Sequence, residues 1–154
     1  MRISLLFLLA FTLQAAEFEA EVVGVMDGDT IKVLTQDKKE IKIRFEHIDA
    51  PEKKQPFGQS CKQALSDMIF GKTVYIRSQK RPDRYGRMIA EVFMCEASKE
   101  SVNMAMVRRG CAWHYKAFSK DSTYAEAERI ARDTRVGLWS ESNPVEPWNW
   151  RKKK

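Results

Sequence analysis

Polar and apolar residues alternate with a period of two along three early stretches, the mark of strands that bury one face. These are Phe18 to Met26, Thr30 to Thr35 (TIKVLT) and Glu40 to Phe45 (EIKIRF), separated by turn-forming residues at Asp27-Gly28 and Gln36 to Lys39. In the third stretch Ile41, Ile43 and Phe45 share one side, and Lys42 and Arg44 the other. The period then lengthens. Cys61, Ala64, Leu65, Met68 and Ile69 recur at helical spacing, and Gly71 supplies the stop. Two more strands, Thr73 to Ser78 and Met88 to Met94, flank a polar, turn-rich loop from Gln79 to Arg87. Ser101 to Arg109 predicts a second short helix closed by Gly110, and Asp121 caps a third that runs to Val136 and stops at Gly137. Five short strands joined mostly by short turns, with helices outside, predict a small closed or partly closed barrel rather than a parallel sheet.

The first 16 residues follow a different pattern. Met1-Arg2 is a short positive start, Ile3 to Leu13 is an apolar run, and Gln14-Ala15-Ala16 offers small residues for cleavage before charge begins at Glu17. That order is a secretory signal peptide, cut near Ala15 to Glu17. An eleven-residue run is well short of the roughly 20 residues that a membrane-spanning helix needs. The chain therefore divides into a signal peptide (1–16), a barrel domain (17–142) and a basic Pro/Trp tail (143–154). The aromatics of the tail are expected to tack it to the body, and Arg151 to Lys154 to form a solvated run.

Length and composition narrow the picture further. The 154 residues suit one domain, and 44% apolar residues suffice for a real core. Lys and Arg number 27 against 21 Asp and Glu, a formal charge of +6, and loss of Arg2 with the signal peptide lowers it only to +5. A surplus of this sign favours an anionic partner, nucleic acid or an acidic membrane surface. Three Cys and two His exclude metal-cluster scaffolds and disulfide-dense miniproteins. Cys61, Cys95 and Cys111 allow three single pairings, with Cys61 alternatively a small buried hydrophobe on its helix. His47 and His114 are single and distant in sequence, so no zinc site is expected.

Three segments carry chemistry. Alone, Asp27-Gly28-Asp29-Thr30 reads as a hairpin turn, Arg44 to Glu52 (RFEHIDAPE) as a charged loop leaving a strand, and Asp83 to Arg87 (DRYGR) as a solvated hairpin with an Arg–Asp pair. Together they supply hard oxygen ligands or bases in Asp29, Asp49 and Glu52, and forked cations in Arg44 and Arg87. No Ser/His/Asp or Cys/His set is available as a nucleophile. The combination suits attack of water on a phosphodiester. Three converging carboxylates repel one another without a cation, so the site is expected to be metal-dependent.

The chain here resembles a known family. V-x-D-G-D-T (Val25, Asp27 to Thr30), R-x4-D-A-P-E (Arg44, Asp49 to Glu52) and D-R-Y-G-R (Asp83 to Arg87) are similar, in order and spacing, to the signature blocks of staphylococcal (micrococcal) nuclease-like thermonucleases. Gly137-Leu138-Trp139 resembles the family's usual ending, and the similarity runs from about Glu17 to Trp139. The resemblance implies a five-stranded OB-fold barrel with three helices and a calcium-dependent phosphodiesterase acting on DNA and RNA. It implies Asp29, Asp49 and the main-chain carbonyl of Ala50 as metal ligands, Glu52 as general base, and Arg44 and Arg87 as catalytic arginines. It places Arg84 and Tyr85 by a nucleotide phosphate and Tyr115 on a base. The chain departs from the family pattern at Ala50, where Thr is usual, and at Glu46-His47, which adds a negative charge beside the site.

The expected function is a secreted or periplasmic monomeric nuclease with little sequence specificity. Two other classes make different demands on the sequence. A binding module of the same fold that has lost catalysis would lack one of Arg44, Glu52 or Arg87, and all three are present. A membrane-active cationic protein would show a basic amphipathic helix, whereas these helices mix acids with bases.

Overall fold

A computed structural model describes residues 15–153; the expected signal peptide lies outside them except for Ala15 and Ala16. Five strands close a barrel in the order β1-β2-β3-β6-β5. They are β1 (Ala16–Asp27), β2 (Thr30–Leu34), β3 (Glu40–Phe45), β5 (Thr73–Ser78) and β6 (Met88–Phe93). A separate two-stranded pair joins β4 (Ile48–Asp49) to β7 (Trp113–His114). Three substantial helices, α1 (Gly58–Ile69), α2 (Val102–Arg108) and α3 (Ser122–Asp133), pack outside. A 3-10 turn at Gly137–Ser140 and a short α4 (Pro147–Lys152) finish the chain. Among the described residues no helix is long and apolar enough to cross a membrane.

The barrel closes because β1 serves two neighbours. Its first half pairs with β5, from Ala16↔Ser78 to Glu21↔Thr73, and its second half with β2, ending at Asp27↔Thr30. Two register irregularities, at Val22/Gly24 and Val25/Asp27, bend it between them, as bulges do at barrel corners. The last seam, β3 with β6, is parallel, from Ile43↔Met88 to Phe45↔Ala90. Such a pair needs a long crossover, which α1 and β5 provide. Val22, Ile31, Val33, Ile43, Phe45, Val74, Ile76 and Val92 fill the interior, covered by Leu65 and Ile69 of α1 and Met106 and Val107 of α2.

Helix ends follow local chemistry. Ser101 Oγ accepts the Met104 N–H at the start of α2, and Asp121 accepts the Thr123 N–H at the start of α3. The third helix stops at Asp133, three residues before the predicted Val136, where Arg135 takes the left-handed conformation at φ 54° and the chain turns. Gly110 closes α2 as expected, and no other residue fits there. At φ 65°, an added Cβ would lie 2.1 Å from the Val136 carbonyl oxygen.

Of the three cysteine pairings left open, the fold selects Cys61–Cys111, and Cys95 is an exposed free thiol. The bond joins α1 to the segment leading into β7 across 50 residues of sequence, a loop whose closure is worth about 4 kcal/mol in the chain-entropy account. It ties together the two halves of the chain that line the cleft described next.

Candidate active site

The cleft begins at the two-residue turn between β1 and β2. Gly28 allows that turn to lie against the β4 segment: a Cβ on it would sit 2.8 Å from the Ala50 Cβ. Asp29, buried in consequence, accepts the Ala50 N–H on Oδ2 at 2.6 Å and the Thr30 hydroxyl on Oδ1 at 2.9 Å. The second block supplies Arg44 from the outer face of β3. The alternation correctly set its direction, but the chain after Phe45 folds back over it and leaves it only 9% exposed. Its Nη1 donates to the carbonyls of Phe45 (2.7 Å) and Ile48 (2.8 Å). Its Nη2 meets Asp49 Oδ1 at 2.9 Å and Asp29 Oδ2 at 3.2 Å. Both terminal nitrogens are thus bonded within the protein, and Arg44 stands in the site first as the counter-ion of two buried carboxylates.

The third block forms a tight turn before β6. Asp83 accepts the main-chain N–H of Tyr85 and of Arg87, and its Oδ2 takes the Arg87 Nε at 2.7 Å. The Arg–Asp pair expected of an ordinary hairpin is therefore real, and the half-buried Arg87 still borders the cleft. The exposed Tyr85 ring lies under two guanidinium groups, Arg84 at 4.7 Å and Arg87 at 5.4 Å.

All nine residues singled out from the sequence line one cleft of about 750 Å³: Asp29, Arg44, Asp49, Ala50, Glu52, Arg84, Tyr85, Arg87 and Tyr115. Glu52 sits on the rim, its N–H held by Gln55 Oε1 at 3.0 Å. Glu46, the unusual acid, is neutralised by Lys80 at 2.7 Å. His47, at φ 70°, stacks on Tyr124 and shares the Ser119 hydroxyl with His114, through Nδ1 at 2.8 Å and Nε2 at 3.0 Å.

Two residues escaped the sequence reading. Phe118 is 70% exposed on the cleft wall, 4.7 Å from Tyr115. Arg151 was expected in a solvated run and instead enters the site. Its guanidinium is bidentate on Asp49 (2.7 and 3.2 Å) and bonds Glu52 Oε1 at 2.8 Å. The tail aromatics do tack it down: Trp148 stacks on Tyr115 at 5.4 Å with planes 7° apart. The Pro-Trp-Asn-Trp run was the available signal for docking, but its spacing could not say where the next arginine lands.

Within the cleft Lys80 pairs with Glu46 and Arg87 with Asp83, while the four carboxylates Asp27, Asp29, Asp49 and Glu52 gather around two guanidinium groups, Arg44 and Arg151. Partial burial, with the Asp29 charge beside it, pushes the Asp27 carboxyl up to about 7. Asp49 is raised as well, by burial and then by Asp29, against the lowering pull of Arg151 and Arg44. This surplus of hard anionic oxygen fits a divalent cation, even though no three His, Cys, Asp or Glu side chains among the described residues form a ready-made cage. It also sets a pH dependence. A carboxyl near 3.9 when unfolded and near 7 when folded favours the folded state below about pH 4, and that contribution is lost as pH rises towards 7. In chelator the thermal midpoint therefore falls between pH 5 and pH 8, and Asp27→Asn flattens that fall, as circular dichroism melts will show.

A barrel that gathers carboxylates, forked cations and exposed aromatics in one cleft belongs to the class of small β-barrel proteins equipped to handle a phosphodiester. Residues 42–141 match the family model for staphylococcal nuclease homologues, and the chain belongs to that family. It is 42% identical over 149 residues to an uncharacterized endonuclease of Haemophilus influenzae, covering 94% of this chain and 82% of the relative. It is 40% identical over 145 residues to a micrococcal nuclease of Shigella flexneri, covering 89% and 82%. A staphylococcal-like nuclease of Arabidopsis thaliana is 40% identical over 116 residues, 75% of this chain and 35% of the plant protein.

Proposed function

We propose that this nuclease is an exported, calcium-dependent phosphodiesterase that hydrolyses DNA and RNA with little sequence preference. The observation that carries the reading is the convergence of Asp29, Asp49, Glu52, Arg44 and Arg87 in one cleft walled by exposed aromatics. Asp29, Asp49 and the Ala50 carbonyl would hold the calcium ion, which when bound neutralises diester charge and polarises the phosphoryl oxygen. Glu52, on the rim and open to water, takes the proton of the attacking water. The water oxygen forms the new bond to phosphorus, one ester P–O bond breaks, and the departing oxygen is protonated from solvent. Arg87, held at the cleft border by Asp83, is assigned to the developing phosphoryl charge. Arg44 balances the carboxylates and braces the loop that carries them. Tyr85 and Phe118, both about two-thirds exposed, offer stacking faces to any base, and Arg84 adds positive charge for the backbone. Cleavage after Ala16 would take only the first residue of β1 and leave Glu17 to Asp27 to pair with β5 and β2.

The test is digestion of single-stranded DNA and of RNA by the purified mature protein, with calcium and with chelator. Cutting of both polymers is expected with calcium and none with chelator. Cutting that survives chelation would remove the metal from the mechanism, and retention of nucleic acid without cutting in calcium would favour a binding module.

A further inference from the structure

The C-terminal segment occupies the places that substrate and cation need. Asp49 has no free oxygen. Oδ1 accepts from Arg44 and Arg151, and Oδ2 from Arg151 at 2.7 Å. Glu52 Oε1 holds an Arg151 N–H where a proton from water would go. From the last turn of α4, Arg151 does to these groups what a cation does. Three residues before it, Trp148 lies nearly parallel on Tyr115, as a nucleobase would.

The two cations of the site are not equivalent. Arg44 belongs to a barrel strand, is buried, and bonds two carbonyls of the loop it supports. Arg151 is an exposed residue of a six-residue helix. A helix of that length has no stability of its own. The segment is held by the Trp148 stack, an edge contact of Trp148 with Trp113 at 5.8 Å, and a hydrogen bond from Gln55 Nε2 to the Val145 carbonyl at 2.5 Å. Pro147 is buried and Trp148 packs against the cluster of Trp113, Ala131, Leu138 and Trp139, but no strand of the barrel pairs with the segment, so it opens without breaking the sheet.

We propose that residues 145–152 are an autoinhibitory strap, with Arg151 standing in for the cation on Asp49 and Glu52 and Trp148 for a base on Tyr115. The inference rests on the calcium and substrate assignments above. Cation and single-stranded nucleic acid each displace the strap, so each binds better once the other has opened it. Ligands must compete with an intramolecular occupant, and weakening that occupant raises the affinity for both.

The experiment compares the wild-type mature protein with Arg151→Ala, Arg151→Gln and Trp148→Ala. Calcium binding without nucleic acid is measured by titration calorimetry, and oligothymidylate binding in chelator by fluorescence anisotropy. Arg151→Ala and Arg151→Gln are expected to bind calcium about tenfold more tightly, as loss of a charge-assisted pair allows. Trp148→Ala, which removes no charge, tightens calcium binding in the same direction. Oligothymidylate separates the strap from plain electrostatics. Removing a cation from a polyanion site weakens binding, whereas releasing a strap strengthens it, here about threefold to tenfold given typical stacking energies. Wild-type calcium affinity in all variants, or weaker oligonucleotide binding by both Arg151 variants, overturns the strap while leaving the nuclease assignment intact. A wild-type protein that neither takes up calcium nor cuts overturns the parent reading, and the strap with it.

Discussion

Replacement of Glu52 by Gln slows strand cleavage by about 10²- to 10⁴-fold, the usual contribution of a positioned general base, while substrate affinity changes little. Gln is the sharp substitution here because it keeps the shape of the side chain and can still accept the hydrogen bond from Arg151. What it loses is the ability to take a proton at neutral pH. The loop around it is held by backbone groups, including the Glu52 N–H on Gln55 and the Gln55 N–H on the Glu52 carbonyl at 2.8 Å, so the fold survives. Single-turnover cleavage of a labelled oligonucleotide at saturating calcium reads the effect. A variant that cuts within threefold of the wild-type rate would show that some other group takes the proton.

Replacement of Arg44 by Ala strikes fold and activity together. It strips Asp29 and Asp49 of their buried counter-ion and leaves the Phe45 and Ile48 carbonyls without their side-chain donor. Breaking a buried pair by removing one partner costs about 3–5 kcal/mol, because the other charge remains buried. Turnover falls as well, because the loop that carries Asp49 loses its brace and the carboxylates their fixed counter-ion. Calcium separates the two effects. In urea titrations a cation bound by the folded state recovers part of the lost stability, and chelator abolishes the recovery. Equal unfolding midpoints for wild type and variant in chelator would mean that the carboxylates are not relying on Arg44.

Much of the barrel was legible because alternation is a local signal. Glu40–Phe45 and Thr73–Ser78 have the predicted limits, and the two strands predicted at Thr30 to Thr35 and Met88 to Met94 each end one residue early. The first strand begins two residues before its expected start, since Ala16 and Glu17 find partners in Ser78 and Arg77 across the barrel. The β4–β7 pair was illegible: two residues a side are too few for any period, and what makes them strands is the partner. The parallel β3–β6 seam was equally out of reach, because a hydrophobic pattern says which face is buried and not which neighbour a strand will take.

The site divides in the same way. The order and chemistry of the side chains were determined by sequence: three polar blocks, carboxylates suited to hard cations, arginines suited to phosphate, and a net basic charge for a polyanionic substrate. Tertiary structure alone decided which cysteines pair, that Arg44 would be buried between Asp29 and Asp49, that Phe118 would stand open beside Tyr115, and that Arg151 would close on Asp49. The last pair is separated by 102 positions along the chain and by 2.7 Å in space. Ionic and hydrogen-bond energies depend on that second distance, which only the packed fold supplies.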